Sequence, residues 1–339
     1  MNIHEKISLQ SYNTFGVSVN AKYFTKIKSN EELIDAILFA KKNNCEMLFL
    51  GGGSNILFTK DFDGLAVVME TKGIVEEKFD DNTIIVTAQA GENWHNFVLY
   101  CIDKNFGGLE NLSLIPGNVG TSPIQNIGAY GVEIKDVLQS CKVLNIETLT
   151  IEKIELPQCQ FGYRDSIFKS SEKGKFVILE VSFLLSTQHH TIHSTYGAIK
   201  TELEKMKVSN PRIKDISNAV IAIRESKLPN PKIIGNAGSF FKNPTIDFPS
   251  YENLKKDFPT ISGYPNDSGV KLAAGWLIEQ AGWKGKEIGN VATHHLQSLV
   301  IINKTGKATG EEIYNFSEKI IQSVQEKFGI SLEREVNIL

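Results

Sequence analysis

Residues 116–131 read PGNVGTSPIQNIGAYG, and this stretch decides how the rest of the chain is read. Four glycines stand among small hydroxyl residues and amides, with no Lys, Arg, Asp or Glu. Glycine admits positive φ and lets a backbone approach a ligand where a Cβ would collide. A run of main-chain N–H groups can then hold phosphate oxygens without a cationic side chain. The alternative is a long loop with no structure of its own, yet loops of that length without function are uncommon in compact domains.

Working outward, a second tract, Gly51-Gly52-Gly53-Ser54-Asn55, follows the apolar run 47–50. It lacks the spaced third glycine of a dinucleotide fingerprint, and no Lys-Ser/Thr follows to make a P-loop. Alone it reads equally as a tight turn. Behind a strand and paired with 116–131, it points to a large phosphate-bearing cofactor held along its length.

The remaining chain sets the frame. At 339 residues it exceeds one ordinary core, so two or three domains are expected. A net charge of −3 without a basic block argues against a nucleic-acid or anionic-membrane binder. The first twenty residues show no secretory pattern, and the greasiest run, 176–185, is interrupted by Glu180 and Ser182, so a cytoplasmic protein outside the membrane is expected. Cys45, Cys101, Cys141 and Cys159 lack a CxxC pair and read as reduced, buried small hydrophobes. His189, His190, His193, His294 and His295 have no acidic or thiol neighbours at ligand spacing and read as solvated loop residues rather than a metal centre.

Patterning predicts a helix capped by Ser29 and Glu32 whose face is Leu33, Ile34, Ile37 and Leu38, ended by Asn43-Asn44. A buried strand over 47–50 and another over 65–69 follow. A β-rich stretch comes next, with strands at 83–90, 143–156 and 176–185 and a helix at 94–104. Ile216, Val220 and Ile223 mark a helix before a third block that starts near Arg224. That block holds a helix at 271–281 stopped by Gly282, a strand at 296–303, and a long helix over 310–328. Thr309 and Glu312 cap the long helix, Ile313, Phe316, Ile320 and Val324 stripe it, and Gly329 ends it. In 331–339, alternation turns Glu335 away from the core.

Two further clusters carry polar chemistry. Phe161-Gly162-Tyr163-Arg164-Asp165-Ser166 offers either an Arg–Asp surface pair or a guanidinium fork for a substrate carboxylate. Gly238-Ser239-Phe240-Phe241-Lys242-Asn243-Pro244 is not a nucleophile elbow, and Ser239 is either a turn residue or a proton donor in an apolar pocket.

Taken together, SYNTFG at 11–16, LGGGSNILF, IPGNVGTSPIQNIGAYG, FGYRDSIFK, KLPNPKIIGNAGSFFKNP, AAGWLIEQAGWKG and the terminal LEREV resemble the UDP-N-acetylenolpyruvoylglucosamine reductases, flavoenzymes of bacterial peptidoglycan precursor synthesis. The resemblance covers essentially the whole chain and includes the larger subfamily's tyrosine, Tyr196, on an inserted loop over the diphosphate. It implies an α+β architecture, with a two-subdomain FAD-binding fold of the vanillyl-alcohol-oxidase/PCMH type at 1–72 and 73–223. A smaller α/β substrate-binding domain follows at 224–329, then a C-terminal strand at 330–339. Non-covalent FAD would be held by Gly51, Gly52, Gly53, Ser54, Asn55, Pro116, Gly117, Gly120, Thr121, Ser122, Ile124, Asn126, Gly128, Ala129 and Gly131.

The implied reaction is NADPH-dependent reduction of UDP-N-acetylglucosamine enolpyruvate to UDP-N-acetylmuramate, by a monomer. Arg164 and Glu335 would stabilise an enediolate, Glu335 as a protonated donor that needs burial or a like charge. Ser239 would deliver the closing proton. Tyr163, Tyr196, Lys227, Asn243 and Gln297 match substrate contacts, and Arg334 replaces a proline common in close relatives. An FAD-dependent oxidase of the same fold is the competing expectation, although neither glycine tract carries a His or Cys to tether flavin.

Overall fold

Strand Phe176–Ser186 explains its own interrupted apolar run: Val181, Phe183 and Leu185 are buried while Glu180, Ser182 and Leu184 lie on the other, part-exposed face. Period-2 alternation allows this, since successive side chains leave a strand on opposite sides. On the polar face Gln89 donates to Glu180 at 2.8 Å and the Thr87 and Ser182 hydroxyls meet at 2.8 Å.

A computed structural model describes residues 1–266 and 268–339, which form two compact units. The first comprises Met1–Ile7, Ala21–Gly52 and Asp63–Ser226; the second comprises Ser8–Asn20, Gly53–Phe62 and Lys227–Leu339.

In the first unit one sheet has the order His4–Ser8, Asn20–Ile27, Phe62–Met69, Glu46–Leu50, with the last two strands parallel. Helix α1, Asn30–Lys42, covers it, and the Ser29 side chain accepts from the Glu32 N–H as the sequence predicts. The buried face is Leu33, Ala36, Ile37 and Ala40, whereas Leu38 is exposed. At 100° per residue Leu38 falls beside the stripe rather than on it. The strand 47–50 is half-buried except at Leu50, because it forms the sheet's edge.

The second sheet is antiparallel, ordered Ile151–Glu155, Leu138–Asn145, Phe176–Ser186, Thr83–Gln89, Ile74–Lys78. The predicted single strand over 143–156 is therefore a hairpin. Asn145 turns the chain by accepting from the N–H groups of Glu147 and Thr148, and Leu149 sits at φ 59°. Helix α2, Trp94–Asp103, packs on this sheet through Trp94, Phe97 and Phe183, whose rings lie 5.2–6.1 Å apart. Helices α3, Gly197–Lys205, and α4, Ile213–Lys227, share a core of Ile199, Leu203, Ile216, Ala219, Val220 and Ile223, against which Tyr130 packs.

The second unit has an antiparallel sheet ordered Gly235–Ser239, Val300–Asn303, Val291–Thr293, Glu287–Ile288. A three-stranded sheet has Gly269–Leu272 between Thr245–Ile246 and Gly263–Asn266. Helices α5, Phe248–Asp257, α6, Ala274–Gln280, and α7, Gly310–Phe328, complete it. Lys271 and Leu272 thus belong to a strand rather than to the predicted helix, and the expected strand over 296–303 is confined to its last four residues.

All the expected signals of α7 are present: Thr309 and Glu312 cap each other at 3.1 and 2.7 Å, the four-residue stripe is buried, and Gly329 sits at φ 69°. Gly310 is obligatory, since a Cβ there would lie 1.6 Å from the Phe58 carbonyl oxygen. Cys101, Cys141 and Cys159 are buried, Cys45 is half-buried, and all four are free. Among the described residues no helix is long and apolar enough to cross a membrane.

Candidate active site

Within the first unit the two glycine tracts touch. A Cβ on Gly51 would lie 2.6 Å from the Thr121 methyl carbon, and one on Gly52 would lie 2.9 Å from the Gly117 Cα. The contact explains the residue type: any side chain at 51 or 52 would drive the loops apart. Gly120 is pressed the same way against Ala90, where an added Cβ would lie 2.5 Å from the Ala90 Cβ.

The long tract is not structureless. Residues 117–120 are stitched to 90–94 by Trp94 N–H to Gly117 O, Val119 N–H to Glu92 O and Gly120 N–H to Ala90 O, at 2.9–3.0 Å. Val119–Thr121 makes a 3₁₀ turn, in which the Ser122 hydroxyl donates to Val119 O and that of Thr121 to Asn118 O. Gly128–Ala129 pairs antiparallel with Val132–Glu133 around Tyr130 and Gly131, at φ 52° and 84°. Two positive-φ residues suit the tight hairpin turn whose twist matches its strands.

Asn126 is buried. Its amide donates to Glu133 and to Gly162 O at 2.9 and 3.0 Å and accepts from the Lys135 N–H, so it braces the tract from within. Ile124 and Ala129 pack against the second sheet's core, and Pro116 is exposed at the tract's entrance.

Arg164 joins this assembly. Its Nη2 donates to Gly128 O at 2.6 Å, and its guanidinium lies 5.4 Å from the Tyr163 ring centre. The tract therefore carries Arg164 at its hairpin. Tyr196, exposed at the start of α3, packs edge-to-face on Tyr130 with ring centres 5.6 Å apart. Burial, chiefly, pushes the Tyr130 phenol up, and the neighbouring Arg224 opposes this.

In the second unit, strand Gly235–Ser239 is irregular between Asn236 and Ser239, where Gly238 takes φ 68°. A bulge of this kind re-aims a side chain, and it leaves Ser239 exposed beside buried Phe240. The C-terminal segment runs alongside. Lys242 N–H donates to Glu333 O and Glu335 N–H to Phe240 O, at 2.9 and 2.8 Å, around the Phe241–Arg334 pair.

Asn55 locks the same segment from the other side. It donates to Glu335 O at 3.2 Å, and its own carbonyl accepts from the Asn337 N–H at 3.1 Å. Ser239, Asn55 and Glu335 are thus brought together, with Glu335 half-buried at the end of the pairing. Ser54 is also half-buried, and Gly53 packs on Tyr12, where a Cβ would lie 2.0 Å from the carbonyl oxygen.

Asn243 and Gln297 flank the start of α6: Asn243 Oδ1 accepts from the Ala274 N–H at 2.9 Å, and Gln297 Oε1 would lie 3.2 Å from a Cβ on Gly275. Lys227 is exposed at the end of α4. His294 is buried, not solvated, with its Nδ1 unpartnered, and burial beside His295 pushes its imidazole down.

Two side chains whose roles the sequence did not disclose do much of the positioning. The buried Asn13 side chain bonds Leu9 O, Val17 O and the Val17 N–H at 2.9–3.0 Å, while Thr14 binds Gly53 and Asn236 through its main chain. That hub ties SYNTFG to Gly53. The other is His95, which accepts from the Leu114 N–H.

Residues 21–153 match the model of an FAD binding domain family, and residues 229–339 that of the UDP-N-acetylenolpyruvoylglucosamine reductase C-terminal domain. The UDP-N-acetylenolpyruvoylglucosamine reductase of Flavobacterium johnsoniae is 51% identical over 340 residues, covering 100% of both chains. Those of Amoebophilus asiaticus and Pseudomonas aeruginosa are 49% and 42% identical, covering 100% of this chain and 100% and 99% of their own. In fold, the chain is similar to the crystal structure of UDP-N-acetylenolpyruvylglucosamine reductase from Thermus caldophilus, with a TM-score of 0.67 at 21% identity, over 100% of this chain and 99% of that one. Full-length matches of this identity leave one conclusion: the chain belongs to the UDP-N-acetylenolpyruvoylglucosamine reductase family.

Proposed function

We infer that the chain reduces UDP-N-acetylglucosamine enolpyruvate to UDP-N-acetylmuramate with FAD as its resident cofactor and NADPH as the electron source. The residues fit FAD: two glycine tracts run in main-chain contact, and 116–131 carries no charged side chain to compete with a diphosphate. Gly51, Gly52 and 116–131 would hold it, and FAD when bound supplies the hydride taken from NADPH.

The chain's own residues handle the substrate. A hydride added to the terminal methylene leaves an electron pair on the carbon bearing the carboxylate, which spreads into an enediolate. Arg164 is assigned to stabilise that charge; its guanidinium is oriented by Gly128 O and stacked on Tyr163. Glu335 is assigned the complementary hydrogen bond to the enediolate oxygen. The Ser239 hydroxyl gives its proton to the carbon, completing addition of one hydride and one proton across the double bond. Tyr163, Tyr196, Lys227, Asn243 and Gln297 are assigned to the sugar nucleotide.

The observation that carries this reading is the pairing of 240–242 with 333–335, which runs the segments bearing Ser239 and Glu335 side by side. The test is an anaerobic two-step mixing experiment. NADPH should bleach the yellow protein, and the enolpyruvyl substrate should restore its colour far faster than air does. Rapid re-oxidation by air with no response to substrate would replace the reading with an oxidase.

A further inference from the structure

His95 touches the chain just ahead of the cofactor tract, at a point that no assigned role explains. It is the second residue of α2, and its Nδ1 accepts from the Leu114 N–H at 2.9 Å. On the other side of the same residue, Arg224 Nε donates to Leu114 O at 3.2 Å. Leu114 lies two residues before the tract and sits at φ 57°, a conformation that L side chains resist. A leucine stays there only when its surroundings hold it. Both of its peptide groups are gripped by side chains, one from α2 and one from α4.

The grip reaches the far end of the tract as well. Arg224 also interacts electrostatically with Tyr130 at the hairpin turn. Arg224 thus bonds the chain just before residue 116 and faces residue 130, and His95 completes the near end.

We propose that His95 is a positioning residue that clamps the flavin-binding tract through Leu114 only while its imidazole is neutral, with the proton on Nε2. A protonated ring has donors on both nitrogens and cannot accept from the Leu114 N–H. The surroundings oppose the charge. Arg224 from α4 repels an imidazolium, as does the positive N-terminal end of α2, while Glu225 from α4 favours it. Burial and Arg224 accordingly push the His95 imidazole down from its ordinary value.

A depressed folded value means that the clamp is complete above the ordinary imidazole range near pH 6.5 and is lost as pH falls through the lower, folded value. This inference rests on the reading of 116–131 as the FAD cradle.

The test titrates the flavin-loaded protein from pH 8 downward, reading FAD release by the rise in flavin fluorescence. Peptide hydrogen exchange over residues 111–117 is followed in parallel, corrected for its intrinsic pH dependence. His95→Gln keeps an acceptor but cannot take a proton. Wild type should bind FAD about tenfold more weakly once the imidazole is charged, while His95→Gln holds its FAD through that window, as loss of one part-buried hydrogen bond predicts.

An equal release midpoint in the two proteins overturns the proposal, and so does exchange at 111–117 that ignores the transition. If His95→Gln fails to fold, wild type alone decides, because the exchange step and the FAD release must then share one midpoint. A protein that never binds FAD sinks the cofactor reading instead. In that case a pH-dependent exchange step at 111–117 still supports the clamp, and its absence rejects it.

Discussion

The cofactor tract and the C-terminal segment face the same demand, to hold polar groups within a fraction of an ångström, and they meet it differently. Residues 110–131 add to their main-chain bonds with 90–94 a set of side chains gripping main chain: Trp94 on Leu112 O, His95 and Arg224 on Leu114, Asn111 on Tyr130 O, Arg164 on Gly128 O. Residues 333–339 rest mainly on main-chain bonds, Lys242 to Glu333, Glu335 to Phe240 and Asn337 to Asn55, with the Asn55 amide added on Glu335 O. Side-chain clamps depend on one residue type at each position. A ladder accepts any residue that leaves its own bonds intact. Substitutions in the first region should thus disturb cofactor retention and catalysis together, whereas those in the second should separate them.

The sharpest separation is expected at Ser239. Its strand is set by Phe240 N–H to Leu299 O and by Asn236, so the hydroxyl itself holds nothing up. Ser239→Ala should leave FAD content, melting temperature and flavin reduction by NADPH unchanged, while slowing re-oxidation by substrate about 10²–10⁴-fold. Single-turnover absorbance measures it, and near-normal re-oxidation removes the proton-donor role.

Arg164 should show the opposite, entangled behaviour. Arg164→Ala removes the charge proposed to stabilise the enediolate and also a brace on the hairpin at Gly128. Substrate re-oxidation should fall about 10²-fold, with weaker substrate binding and measurable loss of FAD affinity. Intact FAD affinity in this variant would break the contrast between the two regions.

Gly52→Ala should act on the cofactor alone. The added methyl lies 2.9 Å from the Gly117 Cα, a backbone atom that cannot swing aside. Overpacking of this kind costs about 1–3 kcal/mol, so FAD should bind roughly tenfold or more weakly by fluorescence titration. Unaltered affinity would mean that the contact between the tracts does not shape the cradle.

These cases also show what a sequence can disclose. Helix α7 is legible from end to end because its cap, stripe and glycine stop are local and agree. The hairpin within 143–156 is hidden because its turn has no Gly or Pro; Asn145 was the available signal. The glycine tracts and the YNTFG and FGYR motifs are legible as motifs, but not what each residue does. The Asn126 and Asn13 side chains bond main-chain groups around them, which their residue type alone does not disclose. His95 carries no sequence signal at all, since its partner is a peptide group 19 residues away that only the tertiary fold presents.

The smallest effect is expected beside Glu335. Arg334 pairs with Phe241, and the two ladder bonds, Lys242 to Glu333 and Glu335 to Phe240, lie on either side of that pair. The ladder therefore asks nothing of the Arg334 N–H, which is the condition under which a strand accepts proline. The arginine side chain has found separate work on α7, donating from Nε to Ser317 at 2.9 Å, pairing with Glu318 and covering Tyr314 at 4.5 Å. Glu318 is half-exposed, so that pair is worth at most about 1 kcal/mol. Arg334→Pro should lower the melting temperature by a few degrees at most, while substrate-driven re-oxidation stays within about twofold of wild type. A large fall in re-oxidation with FAD still bound would mean that the Arg334 side chain, rather than the ladder, sets Glu335, and the main-chain account of the C-terminal segment would fail at its most tolerant position.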